Sequence, residues 1–313
     1  MIGRPKGTKL LNRSLMHAAA RLHYIERLSQ LEVSKRMQVS TATVSRLLSH
    51  AREEGIVRIQ VADLDETDEL GDKLQIALGL NVVRVLESGK PAALSSQVGS
   101  LLNEAKLAPG SVIAIGWGRA VQSVIAAGLP RIPNVVVVPT SGGMHETASH
   151  FQINEFVRKG AEQMQGEAHF LYAPSMVSPE LLSVLSRDPD TLRLLNLWSK
   201  VDVAIMGIGD FQRSSGNRNF EFAPKDAKRV VGDVVRNYFD QNGEEVHWSG
   251  QENLMALSRK QLQRVPLSIG IATGKEKVPV IIGAARSGMI NALVTDTRVA
   301  SQILEQLDEP QVS

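Results

Sequence analysis

The spacing of hydrophobic residues changes along the chain and separates a short first part from a longer second part. Within residues 14–29 apolar side chains recur every three or four positions, which predicts an amphipathic helix. The residues on this stripe are Leu15, Ala18, Ala19, Leu22, Ile25 and Leu28. Beyond residue 80 the apolar residues form short runs of Val, Ile and Leu that alternate with helical patterns. Such runs are typical of strands covered on both faces of a sheet.

The first sixty residues predict a helix-turn-helix. Ser29 and Glu32 have the spacing of a capping box, so a short second helix should begin there and run to about Met37. Gln38–Ser40 then form a tight turn before a third helix, Thr41 to about Glu54. A helix, a short helix, a turn and a further helix is the arrangement of DNA-binding helix-turn-helix domains.

The third helix has the features of a recognition helix, which would enter the major groove of DNA. Its apolar stripe is formed by Val44, Leu47, Leu48 and Ala51. Gly55 supplies the left-handed residue after its end, and the strand Ile56–Val61 follows as a wing. The residues that we expect to face bases and phosphates are Ser40, Thr41, Ala42, Thr43, Ser45 and Arg46. The alternative interpretation is a three-helix packing element.

Charge supports the nucleic-acid interpretation. Residues 1–60 carry eleven Lys and Arg and four acids, a net charge of +7, whereas the remaining residues carry 24 basic and 29 acidic side chains, a net charge of −5. A basic head on a mildly acidic body is typical of a DNA-binding module joined to another domain. Gly3–Gly7 form a basic arm, from which Arg4 either inserts into a narrow minor groove or remains in a solvated tail.

The second part predicts a Rossmann-like, open parallel α/β sheet, since strands and helices alternate along it. An acidic linker runs into a helix at Glu66–Leu78. The predicted strands are Asn81–Leu86, Val112–Gly116, Asn134–Pro139, His169–Ala173, Val201–Gly207, Leu267–Thr273 and Asn291–Thr295. The predicted helices are 91–106, 118–128, 151–165, 178–198, 227–240, 275–288 and 296–306.

Polar and glycine-rich residues follow five of these strands, where ligands of open α/β sheets bind. The five segments are Gly116–Arg119, Thr140–Gly143, Gly207–Gly209, Ala272–Lys277 and Thr295-Asp296. Glycines let backbone amides point at an anion, and hydroxyls and a lysine add donors. The candidate effector-binding residues here are Gly116, Gly118, Arg119, Thr140, Ser141, Gly142, Gly143 and Lys277. Any one glycine after a strand is equally consistent with a plain turn.

Several classes of protein are excluded by absent features. The chain has no cysteine, so it has neither disulfides nor thiolate metal sites. No dinucleotide-binding or Walker motif is present, and His145-Glu146-x-x-x-His150 has the wrong spacing for a zinc helix, so we expect no cofactor, no metal and no catalytic residue. Apolar runs are too short for a membrane helix and the N-terminus lacks a signal-peptide block, which predicts a cytoplasmic protein.

The chain resembles the SorC family of bacterial sugar-responsive transcriptional regulators, which is grouped with DeoR-type regulators. The head carries the resemblance in Ala20–Tyr24, Leu28–Val33, Val44–Leu48 and Ala51–Ile59. The body carries it in Gly116–Arg119, Ser141–Gly143, Ala173-Pro174, Gly207–Gly209, Gly232-Asp233, Phe239–Gly243, Gly274–Lys277 and Thr295-Asp296. Each motif is loose alone, but their order and spacing over residues 14–306 are specific.

The resemblance implies an effector domain similar to sugar-phosphate isomerases, which binds a sugar, polyol or sugar phosphate, forms homotetramers and alters operator binding. It implies that Thr140–Gly143 cradle a phosphate or hydroxyl, that Asp233 accepts a hydroxyl, and that Lys277 donates to an anion or hydroxyl. The residues themselves leave Asp233 open between a ligand contact and a solvated helix acid. Asp240 is expected only as a turn acid.

Two positions depart from the family pattern. Some relatives have a lysine before the paired glycines that forms a Schiff base with an aldehyde sugar, and this chain has Ser141 there. Family members often have Ala and Gly where this chain has Ser34 and Gln38. A left-handed Gln38 would cost about 1 kcal/mol more than Gly in the turn.

The predicted organisation has three parts: a winged helix-turn-helix domain with its basic arm at 1–61, a linker helix at 62–80, and an effector-binding and oligomerisation domain at 81–313. The main hypothesis is a regulator in which a small effector adjusts the grip on double-stranded DNA. The alternative is a sugar-phosphate isomerase with an appended head. That enzyme would need an acid–base pair, and only Asp233 offers itself.

Overall fold

The computed structural model describes residues 13–57, 66–87, 90–143, 152–211 and 222–308. The chain divides into two compact units, Met1–Ala62 and Asp63–Ser313. Three predicted features lie wholly or partly outside the described residues: the basic arm with Arg4, wing residues 58–61, and the histidine motif at 145–150. No helix within the described ranges is long and apolar enough to cross a membrane.

The smaller unit is a three-helix cluster around one hydrophobic core. Its helices are α1 (Arg13–Ala20), which continues into a π-helical turn, α2 (Gln30–Met37) and α3 (Thr41–Glu53). Its buried core is formed by Met16, Ala19, Ala20, Val33, Val44, Leu47, Leu48 and Ala51. The helix predicted over 14–29 ends earlier, at Ile25, because Arg27 takes a left-handed φ of 56°. Ile25, placed on the apolar stripe, is 74% exposed.

The helix-turn-helix forms as its sequence predicts. The Ser29 hydroxyl accepts from the Glu32 amide at 3.3 Å, and the Glu32 carboxylate accepts from the Ser29 amide at 2.8 Å, which completes the capping box. The hydrogen bonds that the Ser29 hydroxyl and amide donate to the Glu32 carboxylate lower the pKa of that carboxyl. Gln38 adopts the left-handed conformation with a φ of 54°, and Gly55 has a φ of 70° after α3.

The larger unit contains a seven-stranded parallel sheet with the strand order β1-β10-β9-β5-β2-β3-β4. Its strands are β1 (Val82–Leu86), β2 (Val112–Ile115), β3 (Val136–Pro139), β4 (Glu167–Ala168), β5 (Val201–Gly207), β9 (Leu267–Ile271) and β10 (Ala292–Asp296). Its helices are α4 (Glu66–Leu78), α5 (Pro91–Glu104), α6 (Arg119–Ala127), α7 (Ile153–Met164), α8 (Pro179–Leu185), α9 (Pro189–Trp198), α10 (Pro224–Ala227), α11 (Arg259–Leu262), α12 (Val278–Arg286) and α13 (Thr297–Asp308).

Helices cover both faces of this sheet. Along β2, Val112 and Ala114 join one hydrophobic cluster, while Ile113 and Ile115 join the other. Alternate side chains of one strand therefore enter opposite layers, as expected of a strand buried on both faces. Helix α4 packs on β1 and α13, so the segment predicted as a linker helix is part of the larger unit.

A second sheet replaces the helix predicted over residues 227–240, and that prediction is wrong. Strands β6 (Gly209–Asp210), β7 (Val230–Val234) and β8 (Asn237–Asp240) pair antiparallel in the order β6-β7-β8. The β-branched valines within and directly after β7 restrict side-chain rotamers and favour a strand over a helix. Asp233 therefore lies on a strand and not on a solvated helix.

Two other boundaries differ from the prediction for local reasons. Strand β4 ends before the predicted His169–Ala173 for two reasons. Its neighbour Pro139 has no N–H to extend the ladder. In addition, the Asn154 side chain forms hydrogen bonds with both the N–H and the C=O of Leu171. The single helix predicted over 178–198 divides at Pro189, which disfavours a helical residue before it.

The left-handed turn predicts a gain in stability for Gln38→Gly. The change removes the Cβ strain at a φ of 54°, so it should stabilise the smaller unit by about 1 kcal/mol. Hydrogen exchange of the α3 amides should slow about fivefold, since these amides report opening of that unit. The control Gln38→Ala retains Cβ and should give no such slowing. Equal exchange in Gln38→Gly and Gln38→Ala would show that the strain is absent.

Candidate functional site

The strand order of the main sheet reverses between β2 and β5. In open α/β sheets, the crevice outside the carboxyl ends of the strands at such a reversal is where ligands bind. Gly116 follows β2, and its amide donates to the carbonyl of Ile205 in β5 at 2.8 Å. A Cβ on Gly116 would lie 3.1 Å from that same carbonyl oxygen. A side chain at position 116 would therefore require the neighbouring β5 backbone to move by a few tenths of an ångström.

The Thr140–Gly143 segment lies directly after β3, but its amides do not form the open anion cradle that the sequence suggested. The amides of Thr140, Gly142 and Gly143 donate to the carbonyls of Ile115, Met255 and Ala173 at 3.0, 2.8 and 2.8 Å. Those three donors are therefore already satisfied within the protein. The buried Thr140 and Ser141 contribute hydroxyl groups to this edge of the sheet.

Asp233 lies in β7 of the small sheet, paired in register with Gly209 of β6. One carboxylate oxygen accepts from the Arg236 amide at 2.9 Å, and a Cβ on Gly209 would collide with the other. Gly209 thus leaves room for the carboxylate on the neighbouring strand. Burial raises the pKa of the Asp233 carboxyl, and the Arg236 amide and the charges of Arg236 and Lys277 oppose this only in part.

The turn beside Asp233 is strained. Val235 and Arg236 both have positive φ, 52° and 60°, where hairpin turns usually have Asn and Gly. Each such residue costs on the order of 1–3 kcal/mol and persists only when its surroundings hold it. The Asn237 amide group donates to the carbonyls of Val234, Val235 and Leu257, which hold this turn.

Asn237 also connects the Asp233 hairpin with the residues after β3. Its side chain bonds the Leu257 carbonyl at 3.0 Å, and the Leu257 amide donates to the Thr140 carbonyl at 2.8 Å. No pattern in the sequence singles out Asn237, because the spacing of residues 227–240 predicts a helix and not this hairpin. Asn237 thus links the segment that carries Asp233 to the Thr140–Gly143 segment.

Lys277 enters the same region from the loop after β9. It ends a 3₁₀ turn, Lys275–Lys277, and its ammonium group donates to the Ile208 carbonyl at 2.7 Å. Burial lowers the pKa of Lys277, while the carboxylates of Asp210 and Asp233 oppose that shift. The guanidinium of Arg119 lowers it further. Lys277 is thus close enough to Asp233, Asp210 and Arg119 to interact with their charges.

The charges of Asp233 and Arg119 both act on Lys277. Thr140 is connected to the Asp233 hairpin through Leu257 and the Asn237 side chain. Asp210 is a further acid at this place that the sequence did not single out, although it directly follows the predicted Gly207–Gly209 segment. Gly118 begins α6 with a φ of 130°.

Asp240, expected as a turn acid, has a structural role. Its carboxylate accepts from Arg229 at 2.6 Å and from the amides of Asn242 and Glu244, both at 3.0 Å. Burial opposes ionisation of Asp240, but these hydrogen bonds outweigh it and lower the pKa. Asp240 therefore stabilises the β8 turn as an ionised group.

The predicted recognition helix presents its polar face outward. Val44, Leu47, Leu48 and Ala51 are buried against α1 and α2. Exposed side chains on the other face are Thr41, Ala42, Ser45 and Arg46, preceded by the exposed cap Ser40. Thr43 is half-buried, and its hydroxyl forms a hydrogen bond of 2.8 Å with the Ser40 hydroxyl. This end of the helix is accessible to a duplex.

Residues 62–305 match the family described as "Putative sugar-binding domain". Over 303 residues the chain is 29% identical to the sorbitol operon regulator of Klebsiella pneumoniae, covering 91% of this chain and 96% of that protein. Over 302 residues it is 26% identical to the deoxyribonucleoside regulator of Bacillus subtilis strain 168, covering 92% and 96%. The crystal structure of full-length SorC from Klebsiella pneumoniae matches with a TM-score of 0.68 at 28% identity, covering 93% of this chain and 98% of that one.

The chain belongs to this sugar-binding family and is a SorC-type transcriptional regulator. The resemblance seen in the sequence is thereby confirmed, and so is the α/β fold class. Its curated relatives are regulators rather than enzymes, so this SorC-type regulator is not an enzyme and the isomerase alternative has no support.

The raised pKa of Asp233 predicts that this carboxyl lowers the free energy of unfolding of the SorC-type regulator as the pH rises. A carboxyl whose folded pKa is raised stabilises the fold below its unfolded pKa, and this contribution is lost as pH rises through the folded value. Asp233→Asn should therefore raise the unfolding temperature of the larger unit at neutral pH, with a smaller gain toward acid pH. Thermal unfolding followed by tryptophan fluorescence between pH 5 and 8 measures this.

Asp240→Asn is the matched control, because its pKa is shifted in the opposite direction. That variant should lose stability at neutral pH. A stability gain from Asp233→Asn that grows toward acid pH would contradict the assigned direction of its shift.

Proposed function

We propose that a sugar, polyol or sugar phosphate binds at the carboxyl edge of the β2–β5 crevice and controls how the α3 face binds operator DNA. The observation that carries this proposal is the meeting of Asp233 and Lys277 beside the strand reversal. Buried groups with opposing pKa shifts in a crevice mark candidate binding sites. A chain of this family with such a crevice is best explained as an effector-responsive regulator.

Side chains, more than backbone amides, would recognise the effector. Asp233 can accept sugar hydroxyls, and its raised pKa also lets it donate when protonated. Lys277 and Arg119 can donate to hydroxyls or to a phosphate. Thr140 and Ser141 add hydroxyls, while the glycines Gly116, Gly118, Gly142 and Gly143 keep the backbone close to the ligand. Ser141 has no amine, so no imine would form there.

DNA binding is assigned to the exposed end of α3. Arg46 would hold a guanine or a phosphate, and Ser40, Thr41, Ala42, Thr43 and Ser45 would allow close approach to the groove. Two such helices must lie about 34 Å apart, or at a multiple of that distance, to enter successive major grooves. A homotetramer made from two dimers would supply these pairs, and a regulator that binds DNA in this way works in the cytoplasm.

The regulation would be a linkage between two sites. An effector that binds one arrangement of the protein more tightly shifts the population toward that arrangement and thereby changes operator affinity. Operator DNA then changes effector affinity by the same factor. Coupling free energies of about 1–3 kcal/mol correspond to changes of about 5- to 150-fold. A modest change in the packing of the larger unit would therefore be sufficient.

Arg46→Ala tests the DNA-binding assignment. The change removes a charged contact at the exposed end of α3 and should reduce operator affinity at least tenfold, with effector binding intact. Fluorescence anisotropy with a duplex selected from random sequence by the parent protein measures this. The parent affinity should also fall steeply with salt. Arg187→Ala, which removes an exposed charge from the larger unit, is the control. Parent-like affinity in Arg46→Ala would contradict the assignment.

Lys277→Ala tests the effector site. The change removes the half-buried cation that interacts with Asp233 and should abolish the response to effector while DNA affinity stays at the parent value. A thermal-shift screen of the parent against sugars, polyols and their phosphates identifies the effector, because a ligand stabilises the state it binds. The neighbouring exposed Lys275→Ala is the control. A normal ligand-induced shift in Lys277→Ala would remove this residue from the site.

A further inference from the structure

Asp296 joins the loop that carries Lys277 to the start of helix α13. One carboxylate oxygen accepts from the Gly274 amide at 3.2 Å, and the other accepts from the Val299 amide at 3.0 Å. Gly274 begins the turn that ends at Lys277, and Val299 lies in the first turn of α13. A single side chain thus bonds two segments that are separated by more than twenty residues in sequence.

Both ends of this connection are held in defined conformations. Asp296 is the last residue of β10 and is paired in register with Leu86 of β1. Gly274 has a φ of 98°, which L side chains rarely adopt, so the loop reverses at a fixed place. The Lys277 amide donates to the Gly274 carbonyl at 2.9 Å, so a shift of Lys277 acts directly on the residue that Asp296 holds.

Helix α13 carries the contact onward to helix α4. The buried side chains Val299, Ala300 and Ile303 belong to the same hydrophobic cluster as Leu74 of α4. The two helices pack directly on each other. Helix α4 is the first described element of the larger unit, and it follows the DNA-binding unit along the chain.

We propose that Asp296 is a positioning residue that transmits effector occupancy from Lys277 to α13 and α4. This inference rests on the proposed function, in which Lys277 contacts the effector. Ligand contact with Lys277 moves the Gly274 turn, and Asp296 moves the start of α13 with that turn. Helix α4, which packs on α13 and is the first described helix of the larger unit, then changes its position. Asp296 itself contacts neither the effector nor DNA.

Asp296→Ser separates the two roles of this carboxylate. Serine is a good helix cap and retains the bond to the Val299 amide, but it is too short to hold Gly274 as well. Asp188→Ser is the matched control, since Asp188 caps another helix, α9, through the Thr191 amide at 2.8 Å. Asp296→Asn, which retains the side-chain size with one acceptor oxygen, is the second variant if Asp296→Ser does not fold.

The first arm needs no ligand. Hydrogen exchange of the full chain is followed by mass spectrometry in the parent, Asp296→Ser and Asp188→Ser. Exchange of the segment 274–277 should accelerate at least fivefold in Asp296→Ser alone, with the first turn of α13 unchanged. Parent-like exchange of 274–277 in that variant would overturn the proposal.

The second arm uses sorbitol, sorbitol 6-phosphate, ribose and ribose 5-phosphate as probes. The probe that slows exchange at 274–277 in the parent should also slow exchange in α4 and change duplex affinity at least fivefold. In Asp296→Ser that probe should still slow exchange at 274–277, with less than a twofold change in α4 exchange and in duplex affinity. Full responses in Asp296→Ser would overturn the proposal.

The two arms distinguish failure of this inference from failure of the proposed function. If none of the probes slows exchange at 274–277 in the parent, the effector assignment fails for these compounds, while the first arm still decides whether Asp296 holds the Lys277 loop.

Discussion

The parallel pairing of β2 with β5 is the constraint on which the larger unit depends. The chain builds β3 and β4 on one side of this pair and β9, β10 and β1 on the other. The connections therefore leave the carboxyl ends in opposite directions, and a crevice opens between them. Gly116 permits the close approach of the two backbones. Because β5 continues into the small β6-β7-β8 sheet and β9 into the Lys277 turn, Asp233 and Lys277 both arrive at this opening.

The same constraint explains why the site holds poorly solvated charges. Burial shifts the pKa of Asp233 upward and that of Lys277 downward, so each group is less stable as an ion than it would be in water. The strained Val235-Arg236 turn adds a further cost at the same place. Costs of this kind are typical of binding sites, where a ligand supplies the hydrogen bonds that offset them. The rest of the unit, with its two apolar layers, provides the stability that tolerates them.

The sequence allowed the head to be predicted in detail, since its signals are local. The capping box at Ser29, the turn at Gln38 and the apolar stripe of α3 each depend on residues within a few positions. The buried strands and the five polar strand ends could be located for the same reason. The hairpin that carries Asp233 could not, because its helical assignment ignored the β-branched valines and because strand pairing is decided by distant partners.

The contacts that define the candidate site are also non-local. The amides of Thr140, Gly142 and Gly143 are engaged by carbonyls from other segments, which no spacing rule predicts. Asn237 and Asp296 act through partners 20 and 22 residues away. Such side chains become visible only when the fold places their partners beside them. Glycines and polar residues at strand ends indicate where a site lies, and the tertiary hydrogen bonds decide how it works.

Central to this account is that one small molecule at the β2–β5 crevice and one DNA duplex at α3 influence each other through the protein. The most direct measurement is the affinity of the full chain for its sugar-type ligand, by calorimetry, with and without a saturating specific duplex. We expect the duplex to change ligand affinity at least fivefold. The ligand should change duplex affinity by the same factor. Equal ligand affinity with and without the duplex would contradict it.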